Sequence, residues 1–134
     1  IVSGPAYNMS SGSISTDGGT FYDAAGPSGS YGNNEILTQT FCSSVVNGQI
    51  QFQFTSWASE TCCDFLTIYD GPTTSGPTLF SGSSNPGTIT STTGCLTFYW
   101  DTDGSVVAAG WAATIAIVNV QTPLDCNGGD VVTR

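Results

Sequence analysis

Apolar and polar residues alternate along several short segments of the chain, with the period of two that is typical of half-buried β-strands. The clearest case is residues 49–55, in which Ile50, Phe52 and Phe54 fall on one face and glutamines fall on the other. Residues 95–100 repeat the pattern, with a leucine, a phenylalanine and a tryptophan facing inward. These two segments predict strands that line a hydrophobic core.

Further strands are predicted between clusters of turn-forming residues, because Gly, Pro, Ser, Thr and Asn interrupt the chain about every ten residues. Residues 65–69 form a third clear strand, and residues 111–120 are apolar on both faces, which favours a central position in a sheet. Weaker strand patterns lie at residues 9–15, 19–22, 35–41, 78–81 and 88–91. About eight or nine short strands without a helix pattern predict an all-β sandwich.

Composition and charge exclude several classes of function. The chain has 134 residues and a net charge of −9, and its only basic residue is Arg134. A protein with so few cations cannot neutralise phosphates, so nucleic acid is not expected as a partner. No apolar run approaches the roughly 20 residues of a membrane span, so we expect no membrane insertion. The absence of Lys and His removes the usual catalytic bases and Schiff-base amines, which predicts that the chain is not an enzyme.

The five cysteines indicate the compartment in which the protein acts. A small chain rich in Ser and Thr with this many cysteines is typical of an oxidising compartment. We therefore expect a secreted or extracellular protein, located at the cell surface.

The few acidic residues are concentrated in two loops. Glu60 and Asp64 lie in the loop at residues 57–64, and Asp101 and Asp103 come directly after the predicted strand that ends at residue 100. If both loops lie at the same end of a sandwich, their carboxylates meet without a basic side chain nearby. A hard cation would relieve the repulsion, and oxygen ligands favour Ca²⁺ over zinc. The alternative is that these are ordinary solvated loop acids.

The sequence around these acids resembles the two signatures of CUB domains. The first is FTSWASETCCDFLTIYDG at residues 54–71, an aromatic-x-x-Glu loop followed by Cys, Asp and a strand that ends in Tyr-Asp-Gly. The second is LTFYWDTDGS at residues 96–105, followed by GWAA at residues 110–113. The segments GGTF at 18–21 and YGNN at 31–34 are similar to the opening motifs of the family.

The resemblance implies a fold and a division of the chain. The fold would be an all-β, CUB-like jelly-roll β-sandwich of two antiparallel sheets, formed by residues 17–120. Residues 1–16 would be an N-terminal extension or assembly strand, and residues 121–134 would be a C-terminal tail.

The resemblance also implies one Ca²⁺ site at the acidic loops. Carried over by position, its ligands would be the carboxylates and backbone carbonyls of Glu60, Asp64, Asp103, Gly104 and Ser105. Tyr31 would lie behind the ligands as a partner of Glu60, and Asp101 would be a solvated neighbour.

The cysteines depart from the CUB pattern. Family members commonly bridge the positions of Cys42 and Cys63 to two cysteines that this chain lacks, because Asp17 and Ser81 stand there instead. The sequence alone leaves the pairing open. We favour a bridge between Cys42 and Cys95, which begins a predicted core strand.

For the other three cysteines, the sequence leaves more than one state open. Cys62 and Cys63 form a vicinal bridge, remain two thiols, or pair with different partners. Cys126 in the tail is either a free thiol or a bridge to another chain.

Together these features predict a non-catalytic, extracellular, calcium-binding interaction or adhesion module. Calcium would order the acidic loops, which would present Trp57 to a protein or glycan ligand. The alternative is a self-assembling structural subunit of an extracellular surface filament or layer, in which terminal segments add strands to neighbouring copies. A glycosidase built on two carboxylates is disfavoured, because a small sandwich with short loops offers little cleft.

Overall fold

In a computed structural model of the chain, which describes residues 5–120, ten β-strands form two five-stranded sheets. The strands are β1 (Ala6–Asn8), β2 (Gly12–Thr16), β3 (Gly19–Tyr22), β4 (Ile36–Ser43), β5 (Gln49–Ala58), β6 (Phe65–Asp70), β7 (Thr78–Gly82), β8 (Thr88–Thr90), β9 (Cys95–Asp101) and β10 (Gly110–Val118). Within residues 5–120, no helix is long and apolar enough to cross a membrane. The prediction of an all-β sandwich is confirmed.

Each sheet is antiparallel except for one parallel pair near its edge. The strand orders are β1-β3-β10-β5-β8 and β2-β4-β9-β6-β7, with β1 parallel to β3 and β2 parallel to β4. The sheets are therefore mixed, because the N-terminal segment adds one parallel strand to each. The prediction that residues 111–120 form a central strand is confirmed, since β10 lies third of five.

The N-terminal segment crosses from one sheet to the other. The sequence pattern predicts one strand at residues 9–15, but the structure has β1 and β2 with Met9 between them. The Met9 side chain is buried and its N–H donates to the Tyr22 carbonyl, which fixes the crossing point. Both strands lie within the predicted extension at residues 1–16 and pair with strands of the same molecule. The predicted tail at residues 121–134, with Cys126, lies outside the described residues.

The core between the sheets is a network of phenylalanine rings. Phe21, Phe41, Phe52 and Phe98 are completely buried, and the rings of Phe52 and Phe98 approach to 4.7 Å between centroids at an edge-on angle. Such tilted contacts add to the free energy gained by burying each ring. The alternation in β5 and β9 predicts the inward residues correctly, because period-two patterning leaves each strand only one apolar face.

A carboxylate is buried at the end of β3. Asp23 has no solvent exposure, and its Oδ2 accepts the Ala25 N–H at 3.4 Å, whereas Oδ1 has no partner among the described residues. Desolvation, and secondarily the charge of Glu35, raise the pKa of Asp23 from 3.8 to about 6. Gly110 has a φ of 82° and lies so close that a Cβ atom there would meet the Asp23 Cγ at 2.2 Å. Glycine is therefore required at position 110.

Asp23→Asn should stabilise the domain at pH 7.5 but not at pH 4. A folded-state pKa raised to about 6 means that wild-type stability is lost as the pH rises from about 4 through 6, by up to roughly 3 kcal/mol. The neutral amide removes that loss. Melting temperatures measured in chelator from pH 4 to 8 test this, with Asp17→Asn as a control at an exposed carboxylate. Parallel curves for wild type and Asp23→Asn would contradict it.

Candidate metal centre

Two acidic loops meet at one end of the sandwich because of the register between β6 and β9. Phe65, the first residue of β6, pairs with Asp101, the last residue of β9. The end of the loop at residues 59–64 and the start of the loop at residues 102–109 therefore lie side by side. The sequence predicts a cation site on the condition that the two loops lie at the same end of the sandwich, and this condition is met.

Three carboxylates converge where these loops meet. Oxygen atoms of Glu60, Asp64 and Asp103 all lie within 4.8 Å of one another. Arg134 is the only basic residue of the sequence, so residues 5–120 contain no Lys, Arg or His that could balance these charges. The structure thus brings together the three predicted carboxylate ligands, and Asp101 is not part of the group.

Asp64 is the buried anchor of the site. Its side chain has no solvent exposure. Oδ2 accepts the hydroxyl proton of Tyr31 at 2.6 Å, and Oδ1 accepts the backbone N–H of Asp103 at 3.0 Å. The Asp64 carboxylate therefore holds the second acidic loop against the first, and each oxygen keeps a lone pair available for a cation.

Tyr31 connects two of the acidic residues. Its hydroxyl donates to Asp64 and accepts the backbone N–H of Glu60 at 3.1 Å, while its buried ring packs edge-on against Trp100. Burial, followed by the hydrogen bond to Asp64, raises the pKa of the Tyr31 phenol, so the hydroxyl keeps its proton. The sequence indicates Tyr31 as a partner of Glu60, but it does not indicate that the carboxylate it contacts belongs to Asp64.

Of the three carboxylates in the cluster, Glu60 has the fewest hydrogen-bond partners. Its Oε1 is buried and has no hydrogen-bond donor within residues 5–120. Desolvation raises the pKa of Glu60, and the negative charges of Asp103 and Asp64 raise it further. A buried oxygen without a donor is unfavourable, and so is the repulsion between three carboxylates. A bound Ca²⁺ ion would relieve both, because it takes carboxylate oxygens as ligands at 2.3–2.6 Å.

The loop after Asp103 contributes its backbone to the local structure. The Asp103 carbonyl accepts the Asn34 N–H at 2.8 Å, and Asp103 Oδ1 accepts the N–H of Ser105 at 3.3 Å. Gly104 and Ser105 are both exposed. Their role as carbonyl ligands stays a prediction.

The described cysteines form two disulfides. Cys42 is paired with Cys95 across β4 and β9, where the two residues lie directly opposite each other. Cys62 is paired with its neighbour Cys63 in the loop between Glu60 and Asp64. The first pairing is the one that the sequence favours, and the second is one of the three alternatives that the sequence leaves open for Cys62 and Cys63. The sulfur atoms of the second pair lie within 4.8 Å of a Glu60 carboxylate oxygen.

Trp57 lies on β5 rather than in the loop that the sequence indicates. Its ring stacks on Trp111, with centroids 5.4 Å apart and planes at 11°, and its Nε1–H donates to the Ser83 carbonyl at 2.9 Å. The side chain is half-buried. Its main contacts are therefore internal and support the end of the sandwich beneath the acidic loops.

The exposed apolar residues near the site are different ones, which the sequence analysis does not single out. Ile36 and Phe65 both pair with Asp101 and are 64% and 40% exposed, so they flank that carboxylate on the outer face of the sheet. Val106 and Val107 are also exposed and lie within the second acidic loop. The phase of the alternation identifies Phe65, because the buried positions of β6 are even-numbered.

Comparisons with known proteins agree with this geometry. The sequence model of the CUB domain matches residues 11–115. Cubilin from Rattus norvegicus is 43% identical over 56 residues, which are 40% of this chain and only 2% of that protein. This chain thus spans a small part of the curated relative that it matches.

Solved CUB domains have the same fold. The CUB1-EGF-CUB2 region of human MASP-1/3 superposes with a TM-score of 0.66 at 19% identity, over 83% of this chain and 43% of that one. The MASP-1 CUB2 domain bound to Ca²⁺ superposes with a TM-score of 0.63 at 19% identity, over 80% of this chain and 98% of that one.

Proposed function

The chain belongs to the CUB domain family, and from this membership we propose that it is a non-catalytic, calcium-binding interaction module that acts outside the cell. CUB domains are in general extracellular modules that mediate protein–protein interactions. The proposal for this chain adds a Ca²⁺ ion held by Glu60, Asp64 and Asp103 and a protein as the ligand.

The observation that carries the proposal is the convergence of three carboxylates without a compensating cation in the described chain. Glu60 Oε1 is buried and lacks a donor, and Asp64 fixes both loops without using all of its lone pairs. A related fold, the MASP-1 CUB2 domain, is bound to Ca²⁺. When bound, the ion would neutralise the cluster and hold the loops at residues 59–64 and 102–109 in one arrangement.

The surface beside the site favours a basic protein segment as the partner. Asp101 stands between Ile36 and Phe65, so a carboxylate is framed by two exposed apolar side chains. A Lys or Arg side chain matches this combination, because its charged end pairs with the acid while its methylene stem packs on the apolar groups. The net charge of −9 also favours the approach of a cationic partner.

Asp103→Asn should lower the affinity for calcium by about 100-fold, whereas Asp101→Asn should leave it within about twofold. The first change removes a carboxylate from the ligand set, and a charged contact of this kind contributes roughly 2–3 kcal/mol. The second makes the same chemical change two residues away, outside the group of three. Calorimetric titration of each chelator-treated protein with Ca²⁺ measures both. Equal affinities for the two variants would contradict the assignment, as would a wild-type protein that binds no calcium at millimolar concentration.

The alternative of a self-assembling filament subunit gains no support from the described residues. β1 and β2, in the segment suggested to add strands to a neighbour, pair with β3 and β4 of the same molecule. Cys126, which was to lock such contacts, lies outside the described residues. Recognition of a different protein is therefore the function that we propose.

A further inference from the structure

A second group of potential metal ligands adjoins the carboxylate cluster. The sulfur atoms of Cys62 and Cys63 and a carboxylate oxygen of Glu60 lie within 4.8 Å of one another. Cys62 is exposed to solvent, so a small thiol can reach its sulfur. While the disulfide is intact the sulfurs are poor ligands, because metals bind the thiolate form.

We propose that the loop at residues 60–63 becomes a thiolate site for a soft or borderline divalent cation, such as Zn²⁺ or Cd²⁺, when the Cys62–Cys63 disulfide is reduced. The ligands would be the two thiolates and the Glu60 carboxylate. This site goes beyond the proposed calcium function, and once the disulfide is reduced its formation requires that Glu60 keep its position beside the two sulfurs.

The chemistry balances with an external thiol as the reductant. Two molecules of a low-molecular-mass thiol transfer two electrons and two protons to the protein. The Cys62–Cys63 bond breaks, two cysteine thiols form, and the reductant leaves as its own disulfide. Binding of the metal then displaces the two thiol protons, since both sulfurs bind as thiolates.

The loop keeps its shape without the bridge, because other contacts hold it. The N–H groups of Cys63 and Asp64 donate to the Glu60 carbonyl at 3.2 and 3.1 Å, and the Ser83 hydroxyl donates to the Thr61 carbonyl at 2.6 Å. A bridge between adjacent residues closes no long loop, so its loss does not free the chain elsewhere. Glu60 therefore still faces the two sulfurs after reduction.

The spacing suits tetrahedral coordination. Zinc–sulfur bonds of 2.3 Å at tetrahedral angles require the two sulfurs to be about 3.8 Å apart, a separation that neighbouring cysteines can reach once the bond between them is broken. The buried Oε1 of Glu60 has no donor among the described residues and can serve as the third ligand. Thiolates select zinc and cadmium over calcium, whereas carboxylates alone select calcium.

Glu60 would then be shared by two mutually exclusive metals. In the oxidised protein it binds Ca²⁺ together with Asp64 and Asp103, and in the reduced protein it joins Cys62 and Cys63. This exchange, unlike the thiolate site itself, rests on the proposed calcium function. It would make the state of the calcium-ordered loops dependent on the supply of reductant.

The test uses the full chain with Cys126→Ser, which removes the cysteine of the tail. The protein is reduced mildly, the reductant is removed, and alkylation with mass mapping selects conditions in which Cys62 and Cys63 are free and Cys42–Cys95 is intact. Cd²⁺ is then titrated in calcium-free buffer, and the ultraviolet thiolate-to-metal absorption is recorded. We expect one Cd²⁺ per reduced chain and no absorption change from the oxidised chain.

Two variants make the result specific. Cys62→Ala/Cys63→Ala should abolish the absorption band. Glu60→Gln should retain the band but weaken Cd²⁺ binding by at least about tenfold, since even residues outside a ligand set change metal affinity by that much. A reduced protein without the band, or a band that persists in the double alanine variant, would overturn the site. An unchanged Cd²⁺ affinity in Glu60→Gln would overturn the role of Glu60.

Calcium titration of the same samples separates this inference from the proposed function. Cd²⁺ binding by the reduced chain, with no Ca²⁺ binding by the oxidised chain, would support the thiolate site and refute the calcium function. Ca²⁺ binding by the oxidised chain, with no Cd²⁺ binding by the reduced chain, would refute the thiolate site alone.

Discussion

In saturating calcium, the domain should unfold at a temperature about 10 °C higher than in chelator. A ligand that binds only the folded state at 100 times its dissociation constant stabilises that state by about 2.7 kcal/mol. For a domain of this size, each kcal/mol shifts the melting temperature by roughly 4 °C. Calcium sites of extracellular modules have dissociation constants of about 10⁻⁴–10⁻³ M, so tens of millimolar calcium suffice. Thermal unfolding followed by circular dichroism measures the shift.

The same shift should grow as the pH rises. In chelator, a pKa of Glu60 raised by burial and by Asp103 and Asp64 means that the folded state holds this proton more tightly than the unfolded state. Its contribution to stability is therefore lost as the pH rises through the raised pKa. In calcium the ion competes with the proton, and stability rises over that same range. The melting temperatures measured in calcium and in chelator should therefore diverge as the pH rises from acid to neutral.

Glu60→Gln should change the stability of the domain in opposite directions in chelator and in calcium, which tests Glu60 as a calcium ligand. In chelator the variant should be at least as stable as wild type at neutral pH, because a buried, repelled charge has been removed. In calcium it should be less stable than wild type, because a ligand has been lost. Asp101→Asn serves as the control and should keep the calcium shift. Identical melting temperatures of wild type in calcium and in chelator would contradict the site.

The position of the carboxylate cluster follows from the sequence because it depends on strand register. Strands β6 and β9 are strongly patterned, and the acids adjoin their ends, so pairing Phe65 with Asp101 brings Asp64 and Asp103 together. The absence of Lys, Arg and His from residues 5–120 is the further sequence feature on which the proposal of a bound cation rests. The CUB resemblance adds Tyr31, which is too distant in sequence to be reached from spacing alone.

Other features depend on tertiary packing, which alternation does not encode. An apolar residue such as Met9 looks the same in a strand interior and at a crossing between sheets, so the separate strands β1 and β2 are missed. Trp57 belongs to β5, whose regular alternation stops before it, and a bulge opposite Ala112 and Ala113 shifts the register there. The buried Asp23 resembles any turn aspartate in the sequence.

The two disulfides should differ strongly in what they contribute to global stability. Cys42 and Cys95 are 53 residues apart, so their bridge restricts a long loop of the unfolded chain. Loop-closure entropy predicts that Cys42→Ala/Cys95→Ala lowers the free energy of unfolding by about 4 kcal/mol. Cys62→Ala/Cys63→Ala removes a bridge between adjacent residues and should lower it by less than about 1 kcal/mol in chelator.

Urea unfolding of both double variants in chelator measures this difference, because the midpoint and slope together give the free energy of unfolding. Chelator excludes calcium, so a disturbed acidic loop does not contribute through lost metal binding. A large loss in both variants would mean that the loop at residues 60–63 is part of the folding core. A small loss in both would mean that the β4–β9 pairing and the phenylalanine network already restrict the unfolded chain. If loop-closure entropy determines these losses, only removal of the Cys42–Cys95 bridge should strongly lower the free energy of unfolding.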